Sequence, residues 1–229
     1  MNTLEAQTGP TDASESVVYV VDDDPLVLSA ITESLRLHGY APRGFAKPSE
    51  LLARVSPSEL GCVVSDLRMP TMDGVQLQRE LKILGSDLSL IVLTAYATVP
   101  VAVRLMKDGA VSLLEKPFDM GELAVEVGKA IRRSQQVGVE RKRVNDARKR
   151  MAKLTSEELA VLDCAAQGKP NKMIGQELSL SSRTVDRRRH SALSKLAVES
   201  VSEFVAVRAR AEYPSQMLPD ERESSEYDI

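Results

Sequence analysis

Residues 17–24 read VVYVVDDD, five apolar residues running straight into three aspartates. A strand without polar alternation is one covered on both faces, as in the middle of a parallel sheet. CVVSD (62–66) and LIVLT (90–94) repeat the pattern further along, and the less uniform APRGF (41–45) and VSLLE (111–115) bring the number of strand-like runs to five. An amphipathic stretch follows each run, at 25–38, 48–55, 74–84, 99–108 and 119–134. Gly39, Gly85 and Gly109 fall just past three of these stretches, where a helix wants a left-handed cap.

Five strand-helix repeats predict an α/β domain with a flavodoxin-like parallel sheet of order 2-1-3-4-5, whose ligand crevice lies where strand 1 meets strand 3. Topology then brings Asp22, Asp23 and Asp24, at the end of strand 1, toward Asp66, at the end of strand 3. Thr94 ends strand 4 and Lys116 ends strand 5, so a hydroxyl and an ammonium belong to the same rim. Carboxylates crowded together repel, and the usual remedies are protonation or a hard divalent cation with oxygen ligands, for which Mg²⁺ is the natural guest. Taken singly, an Asp at a strand end caps a loop and a Lys before a Pro is solvated. The combination at four matching strand ends is what points to a site.

With 229 residues and 43% hydrophobic content the chain has room for two ordinary domains. Only 3% of it is aromatic and Trp is absent, so the cores must be aliphatic. Cys62 and Cys164 lack metal-ligand spacing and read as buried, reduced thiols, which suits a cytoplasmic protein. The first sixteen residues have neither the basic start nor the apolar run of a secretory signal, and nowhere is there an apolar stretch long enough for a membrane span. The formal net charge of −3 conceals segregation: residues 1–130 give 11 − 18 = −7, residues 131–212 give 18 − 10 = +8, and residues 213–229 give 1 − 5 = −4. A basic segment between acidic neighbours suits a polyanionic partner, although a solvated face produces the same numbers.

These patterns divide the chain into a disordered tail (1–16), an α/β domain (17–134), a helical linker (135–152), an all-α domain (153–212) and a disordered acidic tail (213–229). In the linker Val137, Val144 and Met151 stand seven apart, a spacing that allows a short coiled coil, although two heptads are too few to establish one. Beyond it four helices are signalled. Thr155 and Glu158 form a capping box for a helix that buries Leu159, Leu162 and Ala166 and stops at Gly168. A second helix begins at Asn171 with Ile174 and Leu178 inward, and a third begins near Ser182 with Val185, Ala192 and Leu196 inward. A fourth runs from about Ser200 to Val207. A short helix, a four-residue turn and a basic helix describe a helix-turn-helix, whose later helix enters the major groove.

The strings VVDDDP, VSDLRMPTMDG, VLTA and EKPF resemble the response-regulator receiver family over about 120 residues. The resemblance implies that Asp66 accepts a phosphoryl group from the phosphohistidine of a sensor histidine kinase, as a stoichiometric phosphoacceptor and not as an enzyme. It further implies that Asp23, Asp66 and the carbonyl of Arg68 hold Mg²⁺, that Asp22 acts through water, and that Thr94 and Lys116 hold the phosphoryl oxygens, with Asp24 a solvated neighbour. A unit charge pair near 4 Å is worth roughly 4 kcal/mol at an effective dielectric of 20, so Lys116 matters. The Lys116–Pro117 bond is a candidate cis peptide. Phosphorylation-driven homodimerisation is expected through helix 4, strand 5 and helix 5, near Val99 to Leu105 and Val111. Leu113 stands where the family carries an aromatic switch residue, and Tyr96 reads equally as a gate on water access or as a surface tyrosine.

The later segment, with L-T-x-x-E, G-x-x-N-K-x-I, S-x-x-T-V and K-L, resembles the LuxR/FixJ/NarL output domain. The likeness implies double-stranded DNA as partner. Asn171, Lys172, Ser182 and Thr184 would touch phosphates, Arg187 and His190 would face base edges, and Arg183 and Lys195 would hold the DNA backbone. Arg188 and Arg189 complete the basic run and the set of expected DNA-binding residues. Asp186 departs from the family's usual Lys and Arg188 from its usual His. Six neutralised phosphates per domain would give a log-log salt slope of about −0.9 times that number, doubled in a dimer. The rivals are an RNA- or protein-directed output and an aspartyl-phosphate phosphatase. The phosphatase motif needs an Asp two residues past the nucleophile, where Arg68 stands.

Overall fold

The structure, a computed structural model, describes residues 16–95 and 99–213. The expected tails, apart from Ser16 and Tyr213, and the Tyr96 gate lie outside the described residues. The chain divides into two compact units, Met1–Gly138 and Val139–Ile229.

The first unit is built on strands β1 (Val17–Val21), β2 (Pro42–Phe45), β3 (Gly61–Asp66), β4 (Ser89–Thr94) and β5 (Ser112–Glu115). They pair in parallel in the order β2-β1-β3-β4-β5, the order expected from the sequence. Helices α1 (Pro25–Leu37), α2 (Pro48–Leu52), α3 (Gly74–Ile83), α4 (Val99–Lys107) and α5 (Met120–Met151) alternate with them. Side chains along β1 alternate between two cores: Val18 and Val20 pack with Ile31 and Leu35 of α1 and Leu123 and Val127 of α5, while Tyr19 and Val21 pack with Leu51 of α2, Leu77 of α3 and Leu105 of α4. Both sheet faces are covered, which is why the central strands show no polar alternation.

Two elements differ from their expected lengths. Helix α2 ends at Leu52 instead of continuing to 55. Helix α5 carries on through the expected linker to Met151, since the polar residues there are strong helix formers and contain no Gly or Pro after Gly138. Its first half is clamped to the base of the sheet: the Ser134 hydroxyl accepts the Gly61 amide at 2.8 Å, and a Cβ placed on Gly138 would lie 2.4 Å from Leu60 Cδ2. Leu105, expected on a dimer face, is fully buried, and Val111 is half-buried against the first core. Among the described residues, the half-exposed large apolar side chains on α4 are instead Val103 and Met106.

The second unit contains the last turns of α5 together with α6 (Ser156–Ala166), α7 (Asn171–Glu177), α8 (Ser182–Leu196) and α9 (Val201–Glu212). One core gathers Val161, Cys164, Ile174 and Val185, and a second gathers Leu162, Ala192, Leu196 and Phe204, with Met151 packed against it. Ala166, expected inside, is exposed, and α9 runs five residues past the expected Val207. Both cysteines are buried free thiols, and burial pushes Cys62 up to about 12. Among the described residues no helix is long and apolar enough to cross a membrane.

Candidate functional site

Adjacent strand ends assemble the acidic rim. Register pairs Val21 with Ser65 and Asp66 with Leu93, so Asp22, Asp66 and Thr94 leave β1, β3 and β4 at the same edge. Thr94 pairs with Glu115, and its carbonyl accepts the Lys116 amide at 2.7 Å, carrying Lys116 to that edge. The Lys116–Pro117 bond is cis, as its sequence suggested.

Lys116 Nζ stands between two carboxylates, 2.5 Å from Asp66 Oδ1 and 3.3 Å from Asp22 Oδ2. Asp66 Oδ2 accepts the Arg68 amide at 2.7 Å, and Asp22 Oδ1 accepts the Asp24 amide at 2.9 Å. Asp22 is only 3% exposed. Burial pushes its carboxyl above the ordinary range, with the Asp66 charge adding to the effect, and the Asp24 amide and Lys116 offset this only in part. For Lys116, burial works to lower the ammonium, but the hydrogen bond and charge of Asp66 and the charge of Asp22 outweigh it, so the group is held above its usual value.

One lysine thus leaves the rim short of positive charge. Among the described residues no three His, Cys, Asp or Glu side chains cluster in metal-ligating geometry. The donors gathered here are nonetheless all hard oxygens, and Mg²⁺ takes one or two carboxylates and keeps several waters, so the residues present fit that ion. Asp23 and Arg68 are exposed beside the rim, and Thr94 is buried at 2% exposure. Asp24, expected to be merely solvated, caps α1 by accepting the Leu26 amide at 2.8 Å. Leu113 is half-buried in the second core, packed as an ordinary aliphatic residue.

The second unit presents a helix-turn-helix. Ser181 caps α8, accepting the Thr184 amide at 3.1 Å, and its hydroxyl lies 2.8 Å from that of Thr184. At about 100° per residue, Arg183, Arg187 and His190 project opposite the buried line of Val185, Ala192 and Leu196, and all three are exposed together with Ser182 and, on α7, Lys172. Neither Lys172, Arg183 nor Arg187 has an acidic partner among the described residues.

Other predicted contacts are engaged inside the unit. Arg188 reaches Glu157 at 3.7 Å, and Arg189 Nη2 reaches Asp186 Oδ1 at 3.4 Å. Arg189 Nη1 also donates to Asn171 Oδ1 at 3.3 Å, and Asn171 Nδ2 donates to Asp186 Oδ1 at 3.5 Å. Lys195 lies 2.8 Å from Glu158 Oε2, and the buried Glu158 also accepts the Ser191 hydroxyl and the Thr155 amide. The capping box was visible in sequence, but this network inside it was not. Gly175 also went unnoticed: a Cβ there would lie 2.6 Å from the Leu180 carbonyl, so the turn closes only on a glycine. Its signal was a glycine inside a helix.

A parallel sheet with a lysine-bridged acidic rim, followed by a helix-turn-helix with a basic outer face, defines a class: a signal-receiving domain coupled to a DNA-binding one. Comparison with known proteins gives the same pairing. Residues 18–128 match the response regulator receiver domain, and residues 152–207 match the bacterial regulatory proteins of the luxR family. The response regulator protein TodT of Pseudomonas putida is 34% identical over 206 residues, 89% of this chain and 91% of its own length. The transcriptional regulatory protein FixJ of Azorhizobium caulinodans is 35% identical over 188 residues, 82% of this chain and 89% of its own. The solved structure of the response regulator StyR has a TM-score of 0.76 at 31% identity, covering 86% of this chain and 100% of that one. The chain belongs to the two-component response regulators that join a receiver domain to a LuxR-type DNA-binding domain, a family of transcription regulators.

Proposed function

We propose that Asp66 is the phosphoacceptor and that its phosphorylation by a sensor histidine kinase controls binding of the helix-turn-helix to DNA. In the transfer the P–N bond of the kinase phosphohistidine breaks, a P–O bond to an Asp66 carboxylate oxygen forms, and the imidazole leaves with the bond's electron pair. Lys116, already 2.5 Å from Asp66, neutralises charge on the equatorial oxygens, and the Thr94 hydroxyl bonds one of them. Asp23, Asp66 and the Arg68 carbonyl would hold Mg²⁺, with Asp22 acting through water. When bound, the ion supplies charge neutralisation to the transferring phosphoryl group. Arg68 stands where a phosphatase would carry its general acid, which favours a stoichiometric acceptor over turnover.

Phosphorylation adds roughly −1.5 to −2 charges, and the exposed Val103 and Met106 on α4 supply apolar surface for homodimerisation. In the second unit, Arg187 and His190 face base edges in the major groove, while Lys172, Ser182, Arg183 and Thr184 meet the DNA backbone. Arg188, Arg189, Asn171 and Lys195 support that face from within. The domain limits supporting this reading are a receiver over 17–134, a helical connection over 135–152 and the DNA-binding module over 153–212.

The observation that carries the reading is the Lys116 ammonium seated between Asp22 and Asp66 at the carboxyl edge of the sheet. The test is labelling with acetyl phosphate and Mg²⁺, resolved on a phosphate-affinity gel, beside Asp66→Asn. Wild-type protein is expected to give one retarded band, lost in the variant and in EDTA. A retarded band in Asp66→Asn would overturn the assignment.

A further inference from the structure

We infer that Asp186 is a specificity-determining residue that reads a cytosine amino group, and that Arg189 and Asn171 are the positioning residues that aim it. The inference rests on the reading that α8 enters the major groove.

Asp186 brings a negative charge to a helix whose neighbouring side chains are Arg183, Arg187, Arg188 and Arg189. Its side chain is 66% exposed. It lies about 100° around the helix from the buried Val185 line, on the flank of the row formed by Arg183, Arg187 and His190. Against phosphate such a group is repulsive, so a helix docked there must either avoid the contact or offer the carboxylate a donor.

The structure settles how the carboxylate is held. Oδ1 accepts from Arg189 Nη2 at 3.4 Å and from Asn171 Nδ2 at 3.5 Å, and Arg189 Nη1 closes the ring onto Asn171 Oδ1 at 3.3 Å. Asn171 begins α7, so the ring ties the two helices of the motif together. Oδ2 has no partner among the described residues. Pairing with Arg189 lowers the penalty for drawing a carboxylate out of water, and fixing one oxygen aims the other.

Donors on major-groove base edges are few, namely the N4 amino group of cytosine and the N6 amino group of adenine. Adenine sets its N7 acceptor beside N6, and a carboxylate there meets a second negative atom. Cytosine has only a C–H beside N4. An acceptor-only side chain therefore selects cytosine, and the adjacent Arg187 is of the type that takes the O6 and N7 atoms of a guanine.

The test is selection of duplexes from a random pool by the full chain, activated with beryllofluoride and Mg²⁺, for wild type, Asp186→Ala and Asp186→Asn, with melting temperatures recorded. Wild type is expected to favour cytosine at one position of each half-site by roughly tenfold. Asp186→Ala is expected to become indifferent there and to keep its other preferences. Asp186→Asn, carrying both an acceptor and a donor, is expected to move the preference to adenine. Cytosine preference surviving in Asp186→Ala overturns the assignment, as does a uniform gain in affinity for every sequence, which would mean that the carboxylate only repels phosphate. A uniform loss with a lowered melting temperature also overturns it, leaving the ring a purely structural tie. If wild type enriches no duplex at all, groove docking falls with it, whereas enrichment with unaltered base preferences removes only the role of Asp186.

Discussion

Lys116 shows what a single side chain does at the rim. Its ammonium separates Asp22 and Asp66, so Lys116→Met leaves two carboxylates facing each other, one of them almost wholly buried. Because 27% of the lysine side chain is exposed, the expected loss at pH 7 in EDTA is about 1–2 kcal/mol, below the range for fully buried pairs. Mg²⁺ should restore more stability to the variant than it adds to wild type, which denaturation with and without the ion will measure. An equal gain in both proteins would mean that ion and ammonium do not share the same charge deficit. Glu158 gives the opposite case. Burial alone would raise its carboxyl, but hydrogen bonds from Lys195, the Thr155 amide and the Ser191 hydroxyl, with the Lys195 charge, overcome this and hold it at about 2. A depressed carboxyl contributes stability that is complete above its unfolded value near 4.5 and is lost as pH falls toward 2. The shift corresponds to at most about 3 kcal/mol, and nearer 1–2 because the Lys195 end is 37% exposed. The gap in melting temperature between wild type and Glu158→Gln should therefore narrow from pH 5 to pH 2.5. A constant gap would show that the carboxylate's charge is not what stabilises the cluster. At this scale the rim was legible in sequence because strand ends leave little choice of direction. The inward ties of Arg188, Arg189 and Lys195 were not, because these positions lie on the flanks of α8, where a long cation reaches either solvent or a neighbouring helix.

The strands were read most securely, the edge runs APRGF and VSLLE (β2 and β5) as closely as the central ones. VVYVV, CVVSD and LIVLT became β1, β3 and β4 within one residue of their expected limits. The ends of α5 and α9 were read less well, because polar helix-forming residues carry no stop signal and the contacts that hold them are tertiary, such as the Arg148 Nε bond to the Ala211 carbonyl at 3.1 Å. The turn between α7 and α8 depends on a close approach whose one trace in the sequence is a glycine inside a helix. Gly175→Ala would force the Leu180 carbonyl, now 2.6 Å from the new Cβ, to move. The expected cost is about 2–3 kcal/mol, with weakened DNA binding. Ala197 offers the reverse change. It closes α8 at φ 52°, a left-handed conformation that strains an L side chain, so Ala197→Gly should raise stability by about 1 kcal/mol. Urea titration of both variants is the check, and a neutral Gly175→Ala would show that the turn can widen without cost.

On the scale of the molecule, the charge of +8 on residues 131–212 overstates what DNA meets. Six basic residues were read from sequence as DNA contacts: Lys172, Arg183, Arg187, Arg188, Arg189 and Lys195. Three of these, Arg188, Arg189 and Lys195, are neutralised by Glu157, Asp186 and Glu158. Only cations without an internal partner displace counterions at full value, in the groove as well as at the backbone, and among the six these are Lys172, Arg183 and Arg187. At about 0.9 per phosphate neutralised, the log-log salt slope should be about −2.7 per module and about −5.4 for a dimer, against about −11 if all six engaged. Raising salt from 50 to 200 mM should then weaken the activated dimer by roughly a thousandfold, and not by a millionfold. Fluorescence anisotropy on one fixed duplex across that range measures the slope directly. A value near −11 would mean that the internal pairs open on DNA, and the division between a reading face and its supporting side chains would have to be abandoned.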